Sequence, residues 1–358
     1  MTTVSTPAVP GNARLVGARG LMAGACLTLA VAVVLSLSIG ATGVSLAALP
    51  RVLAALATGA SDPATAREQL VLLEIRLPRL LLGAFVGAAL ALSGAMMQGM
   101  FRNPLADPGL IGVSSGAALA AVATIAASNR LALPLARTLG PYLLPIAAFG
   151  GGILATAALV TVAARRGELA VGTLLLAGVA LAALASSLTG LIAYASDDQE
   201  LRDLTLWMLG SLSGASWPKA LAVLPFALAV ALVVPRLLRG LNGLVLGEAE
   251  AFHMGIDVDR MKRTVIVATA AATGAAVAVC GIVGFVGIIV PHLVRLLAGP
   301  DHRVVLPAGA LLGAALVLYA DVLARMLVRP AELPLGVVTA LLGAPLFLHL
   351  VRRWVGSV

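Results

Sequence analysis

Polar residues are confined to short interruptions along this chain. Residues 20 to 50, 80 to 101, 108 to 129, 138 to 164, 169 to 196, 264 to 294 and 333 to 351 contain no Asp, Glu, Lys or Arg. Each run is near or above the ~20 residues that an α-helix needs to cross a bilayer. Shorter apolar runs at 220 to 235 and 304 to 320 can also cross, with Lys219, Arg236 and Arg303 extending their charged ends to the interface. The run from 264 to 294 places 31 uncharged residues between Lys262–Arg263 and Arg295, too many for one crossing. A hairpin is predicted there, turning in CGIVGFVG between Cys280 and Gly287, where glycines let a crowded backbone bend. The expected fold is all-α and polytopic, with about ten transmembrane helices.

An even number of crossings returns both termini to one side, and basic flanks mark the cytoplasm. The cytoplasmic set is Arg14, Arg19, Arg102, Arg165, Arg166, Arg236, Arg239, Arg260, Lys262, Arg263, Arg295, Arg303, Arg352 and Arg353, about 14 of 24 basic residues. Residues 1–20 read as a disordered cytoplasmic tail and 21–358 as a single transmembrane domain. Ala-Gly-Ala-Cys26 imitates a lipoprotein site, but the apolar run follows Cys26, so the first helix is expected to be retained.

Composition agrees: 60% of residues are apolar and 11% charged, with a mean hydropathy of +1.05. A water-soluble surface cannot be built from that mixture. The net charge of +8 is accounted for by the helix flanks, and no basic run interleaved with aromatics suggests nucleic acid. Cys26 and Cys280 both lie in apolar segments, as small packing residues do.

The informative features are the interruptions, because irregular backbone at membrane depth must be buried by protein or line a cavity. One is Asn103-Pro104-Leu105-Ala106-Asp107-Pro108-Gly109, which ends one helix and starts another. A second, residues 195 to 217, carries five charges and predicts an external connection with a short surface helix. A third, 241–259, mixes apolar and acidic residues in the longest candidate cytoplasmic loop, read either as a solvated connector or as a docking element. Beyond residue 284, Pro291, Pro300, Pro307, Pro330 and Pro334 divide the chain into pieces.

The motifs RLPR, SGAxxQ, RNPLADPG, GVSSGA, FVGxxxPHxxR, AGPDHR, ADxxAR and ELPxGxxTAxxGxPxF occur in order between about residues 70 and 350. In them the chain resembles the FecCD-type permeases of binding-protein-dependent importers for iron-siderophores, haem and vitamin B12. Within that family, the stretch DDQELRDLTLWMLGSLSGASW is most similar to the haem permeases. The resemblance implies a type II ABC importer architecture in the bacterial inner membrane. It implies a homodimer of permease subunits, two ATPase subunits and a periplasmic substrate-binding protein. No cofactor is expected to be bound permanently; the partner subunit uses ATP, and haem or another ferric chelate is the cargo. A ferric siderophore or vitamin B12 is the alternative cargo.

The resemblance also implies roles. Arg76, Arg79 and Arg325 match the arginines that meet carboxylates of the binding protein, a task suited to the rigid guanidinium fork. For Arg325, pairing with Asp321 at i, i+4 is a competing reading. Residues 241–259 match the coupling region that seats in the ATPase, with Leu246, Gly247, Glu248, Ala251, Met254 and Gly255 as the contacts. Phe252-His253-Met254 departs there from the smaller residues usual before Gly255. Met96, Met97 and Met100, with Ser186, Ser187 and Thr189, are path-lining candidates by analogy. The rival reading is core filler for methionine and self-bonded helix hydroxyls for the others. Arg202 and Asp203 are candidates for a polar vestibule meeting propionates.

Neither Lys219 nor Lys262 follows a glycine, so no phosphate-cradling Walker motif is present and the chain is not expected to be an enzyme. A proton-coupled secondary transporter, the alternative from another class, needs an acid or base deep in a span. The long spans hold none, and Asp321 and Glu332 are placed near one face. The four histidines, His253, His292, His302 and His349, fall on or near the assigned cytoplasmic side, so no His-to-iron step is expected during entry and no metal site is assigned.

Overall fold

The computed structural model describes residues 16–40, 46–59, 62–131, 138–165 and 168–355. The early helices are α1 Ala18–Ser38, α2 Leu49–Thr58, α3 Pro63–Gln69, α4 Leu77–Phe101, α5 Val113–Leu131, α6 Leu143–Ala163 and α7 Val171–Tyr194. They are followed by α8 Asp198–Met208, α9 Trp217–Leu244, α10 Glu248–His253, α11 Val258–Cys280, α12 Val286–Ala298, α13 His302–Leu327 and α14 Leu335–Val355. A wider helical turn, Leu70–Arg76, leads from α3 into α4. Among the described residues the only strands, Ala164–Arg165 and Glu168–Leu169, pair antiparallel between α6 and α7.

The fold is all-α and polytopic, and every predicted apolar segment contains a helix. Among the described residues, seven helical stretches are long and apolar enough to cross a membrane: α1, Pro63–Phe101, Gly140–Ala163, α7, α9, α11 and α13. The count is therefore seven where about ten were expected. The difference lies in α5, α12 and α14, whose apolar stretches over the described residues, Val113–Ala127, Val286–Ala298 and Leu335–Leu348, are shorter. At 13 residues, α12 extends only about 20 Å against a hydrocarbon core of about 30 Å.

The predicted hairpin turns in the expected place. α11 ends at Cys280, Gly281 takes a positive φ of 73°, and α12 begins at Val286. Other boundaries shift. The apolar run from 20 to 50 is not one helix, since α1 stops at Ser38 and α2 starts at Leu49. Helix α9 continues beyond 235 through Arg236 and Arg239, because Leu237, Leu241 and Leu244 bury one face against the core. Packing thus extends the helix through charges that looked like its limit, and takes residues 241–244 from the predicted loop. Residues 1–15 of the predicted tail lie outside the described residues. Within 16–20, Val16 donates its N–H to Leu297 O at 3.1 Å and α1 has already begun at Ala18.

Helix α4 is the centre of the bundle: 78% of its spanning window is buried, against 17% for α7 and for α9. It packs on α13, α11, α9 and α12. Small residues let these backbones approach, as is common where lipid removes a hydrophobic drive between helices. A Cβ added to Gly87 would stand 2.2 Å from Gly313 O on α13, and one on Gly94 would stand 1.9 Å from Gly287 O on α12. No side chain fits at either crossing.

Three breaks in helical backbone meet at one node. Ser211 N–H donates to Cys280 O at 2.7 Å, Leu335 N–H to Gly210 O at 2.8 Å, and Gly336 N–H to Leu209 O at 3.0 Å. The groups released by ending α8, α11 and the loop before α14 thereby satisfy one another inside protein.

Candidate functional site

Helices α4 and α13 run antiparallel. Arg79 near the start of α4 meets Asp321 near the end of α13, while Gly99 near the end of α4 lies against the His302 ring at the start of α13. With 25 and 26 residues they extend roughly 37–39 Å, enough to place polar clusters on opposite sides of a hydrocarbon core.

At one end the three predicted arginines gather. Arg79 Nη2 lies 2.8 Å from Asp321 Oδ1 and 2.8 Å from Glu332 Oε2, with further bonds of 3.0 Å from Nε to Asp321 and from Nη1 to Glu332. Asp321 also pairs with Arg325, its Oδ2 3.0 Å from Nε, which is the i, i+4 contact weighed from the sequence. Arg325 Nη1 caps the end of α1 through Ile39 O at 2.7 Å. Arg76 donates to Leu37 O on the same helix end. Arg76 and Asp321 are buried, at 5% and 1% exposure, so these guanidinium groups are held within their own chain. Glu332 is the accessible member, its side chain 35% exposed. Its part in the cluster was not foreseen, although ELPxG was among the motifs.

At the opposite end lies the predicted coupling region. Gly247 takes φ +134° and starts α10, and Gly255 takes φ +77° after it, conformations that favour glycine at both positions. Ala251 is buried and anchors the helix. Lys262 Nζ reaches Glu248 Oε2 at 2.8 Å and Leu169 O at 3.3 Å, fixing α10 to α11 and to the segment before α7. Exposed apolar side chains project outward, Val245, Leu246, Phe252 and Met254, with Glu250 and His253 exposed beside them. A groove of about 340 Å³, lined by Leu169, Val171, Phe252, Val258 and Lys262, adjoins them.

A polar network secures this end to the bundle. Asn242, in the last turn of α9, donates to Asp301 Oδ1 at 2.8 Å and accepts from His302 N–H at 2.9 Å, with His302 Nδ1 2.8 Å from the same oxygen. The Arg303 N–H bond to Asp301, joined by the Asn242 amide, holds the Asp301 carboxyl below its usual range. Deeper, Arg295 donates to Gln98 Oε1 and to Ala95 O, while Gln98 Nε2 donates to Gly287 O and Ile288 O at 3.1 Å each. Gln98 thus serves carbonyls in the first turn of α12. Asn242 and Gln98 were not singled out from the sequence; SGAxxQ and AGPDHR were the signals present.

The path-lining candidates separate into two groups. Met96, Met97 and Met100 are enclosed among α4's neighbours, the core-filler arrangement. Ser186 and Ser187 lie on the exposed side of α7, with Ser187 Oγ donating to Ala183 O at 2.9 Å, and Thr189 is buried. Leu176, Val179 and Leu191 are also exposed on α7. Arg202 and Asp203 are exposed on α8, which forms because Asp197 and Glu200 make a reciprocal capping box. His302 is buried, the His349 side chain lies outside the described residues, and no group of three or more His, Cys, Asp or Glu fit for a metal occurs among the described residues.

Comparison with known proteins gives one consistent answer. The FecCD transport family matches residues 28–353. The hemin transport system permease protein HmuU of Yersinia pestis is 47% identical over 281 residues, covering 78% of this chain and 83% of that protein. The cobalamin import system permease protein BtuC of Halobacterium salinarum is 44% identical over 284 residues, 79% of this chain and 74% of that protein. A solved inward-facing structure assigned to the metal-chelate type of ABC transporter superposes with a TM-score of 0.79 at 34% identity. It covers 93% of this chain and 99% of its own.

Proposed function

Because this chain belongs to the FecCD transport family, we propose that it is the permease subunit of an ATP-binding-cassette importer that carries a metal chelate across the bacterial inner membrane. It is a non-catalytic transport subunit, and hydrolysis belongs to a separate ATPase. The observation that best supports this reading is the placement of two unlike surfaces at opposite ends of α4 and α13. One is an arginine–carboxylate cluster, the other a short helix with exposed apolar side chains.

In this reading, two copies assemble around a shared path, and α5, α12 and α14 join the seven longer helices to complete ten crossings with both termini cytoplasmic. The exposed apolar side of α7 suits the subunit contact and path, with Ser186 and Ser187 on it, while Thr189 and the methionines of α4 are buried within the bundle. The binding protein docks at the end bearing Arg76, Arg79 and Arg325. Because Asp321 and Glu332 already hold Arg79, an incoming carboxylate reaches it by exchanging with the accessible Glu332. The ATPase receives Leu246, Phe252 and Met254 around α10, while Gly247, Glu248, Ala251 and Gly255 fix the helix's shape. Nucleotide-driven closure then moves α9 and α11 through α10.

For cargo, the coarser class is the better-supported one. Relatives named for hemin and for cobalamin are 47% and 44% identical, too close to favour haem over a corrinoid or ferric siderophore. The test is ATP-dependent uptake into vesicles holding this chain, its ATPase and its binding protein, with haem, cobalamin and ferric siderophores compared. Uptake of one chelate that requires ATP and both partners supports the reading. Uptake by this chain alone on a proton gradient would replace it with secondary transport.

A further inference from the structure

Between α9 and α11 the bundle carries a groove of about 390 Å³ that neither functional end uses. Its walls are apolar, formed by Ala229, Val230 and Val233 of α9 with Val267, Ala268 and Ala271 of α11. Val267 is 68% exposed and α9 is among the least buried spans, so the groove opens toward the surrounding lipid. At one end it meets Arg260, Arg263 and Thr264 in the first two turns of α11. The Arg260 guanidinium has no hydrogen bond or ion pair among the described residues, although its backbone N–H is taken by Asp257.

Charges nearby leave the groove's mouth positive. Arg236 lies one turn beyond Val233 on α9, exposed, and donates to Leu232 O at 2.9 Å. The acids next to these arginines on the chain bond elsewhere in it: Asp257 caps α11 at Arg260 N, and Asp259 accepts from Leu169 N at 3.3 Å. A sideways-open apolar slot in a bilayer fills with hydrocarbon, and basic residues where a slot reaches the interface select an anionic headgroup.

We propose that this groove is a binding site for an anionic phospholipid of the adjoining leaflet. One acyl chain lies between α9 and α11, and the headgroup phosphate is held by Arg260 and Arg263. The slot has room for a chain of methylenes and not for a folded partner. Charge complementarity selects the headgroup, because a zwitterionic lipid brings its own cation to the same place. The site is independent of the cargo, and its test involves no transport.

The test is native mass spectrometry of the detergent-purified chain after exchange into equal phosphatidylglycerol and phosphatidylcholine of the same acyl length. Phosphatidylglycerol is expected to be retained selectively. The Arg260→Gln/Arg263→Gln variant should retain it about thirtyfold less well, about 2 kcal/mol at 1.4 kcal/mol per tenfold, or about 1 kcal/mol for each arginine. Ala229→Phe fills the slot from an exposed position and should reduce retention with both arginines intact. Equal retention of the two lipids, or wild-type retention by either variant, would overturn the proposal. If the double arginine variant fails to fold, the headgroup comparison on the wild type and the Ala229→Phe arm still decide.

Discussion

Replacing Asp321 with Ala tests whether the arginine cluster is a structural ion network. Asp321 has a side chain only 2% exposed and faces two guanidinium groups, Arg79 at 12% and Arg325 at 9%. Removing one member of a buried pair leaves an uncompensated charge and costs about 3–5 kcal/mol. Glu332 still satisfies Arg79 through two bonds, so the uncompensated charge is mainly Arg325 and the lower end, about 3 kcal/mol, is expected. At ~2.1 cal/mol/K of unfolding entropy per residue, 358 residues convert this to a fall of about 4 °C in thermal midpoint. The assay is thermal unfolding in detergent of Asp321→Ala, and of Asp321→Leu, Arg325→Met and their double variant for the cycle. Buried pairs replaced together by apolar residues are often neutral, so the double variant should fall short of the summed single effects by more than about 1 kcal/mol. Wild-type stability in Asp321→Ala, or simple additivity in the cycle, would refute the reasoning.

Gly87→Val should destabilise by about 3 kcal/mol or prevent assembly, since its first carbon meets Gly313 O at 2.2 Å; Gly309→Ala, with nothing within 4 Å, should be neutral or stabilising, both read as monodisperse yield and midpoint. Asn242→Ala removes the shared partner of Asp301 and His302 and should cost about 2 kcal/mol, with faster hydrogen exchange at the α9–α10 junction as the local sign. Asp301 titrates below its ordinary 3.8, so its contribution is complete above that value and is lost as pH falls through the folded-state pKa. Asp301→Asn keeps a cap without the titration, and an unchanged acid limb in its stability profile would contradict that assignment.

Membrane residence, the all-α class and the family were legible in the chain because each rests on local facts. Uncharged runs longer than a bilayer's thickness admit helices alone, and motifs such as RNPLADPG and ELPxG are contiguous. The turn at Cys280 to Gly287 was legible for the same reason: run length and basic flanks set it without reference to neighbours. Tertiary structure decided what depends on which helices touch. Two glycines, Gly87 and Gly313, lie more than two hundred residues apart, and only their crossing makes a side chain impossible at either. Helix α9 runs past its charges because Leu237 and Leu241 find a core, which no window along the sequence contains. Arg79 is held by Asp321 and Glu332 because α13 returns antiparallel to α4, bringing distant carboxylates within bonding distance. A residue's type fixes what it can bond to; the folded chain supplies the partner.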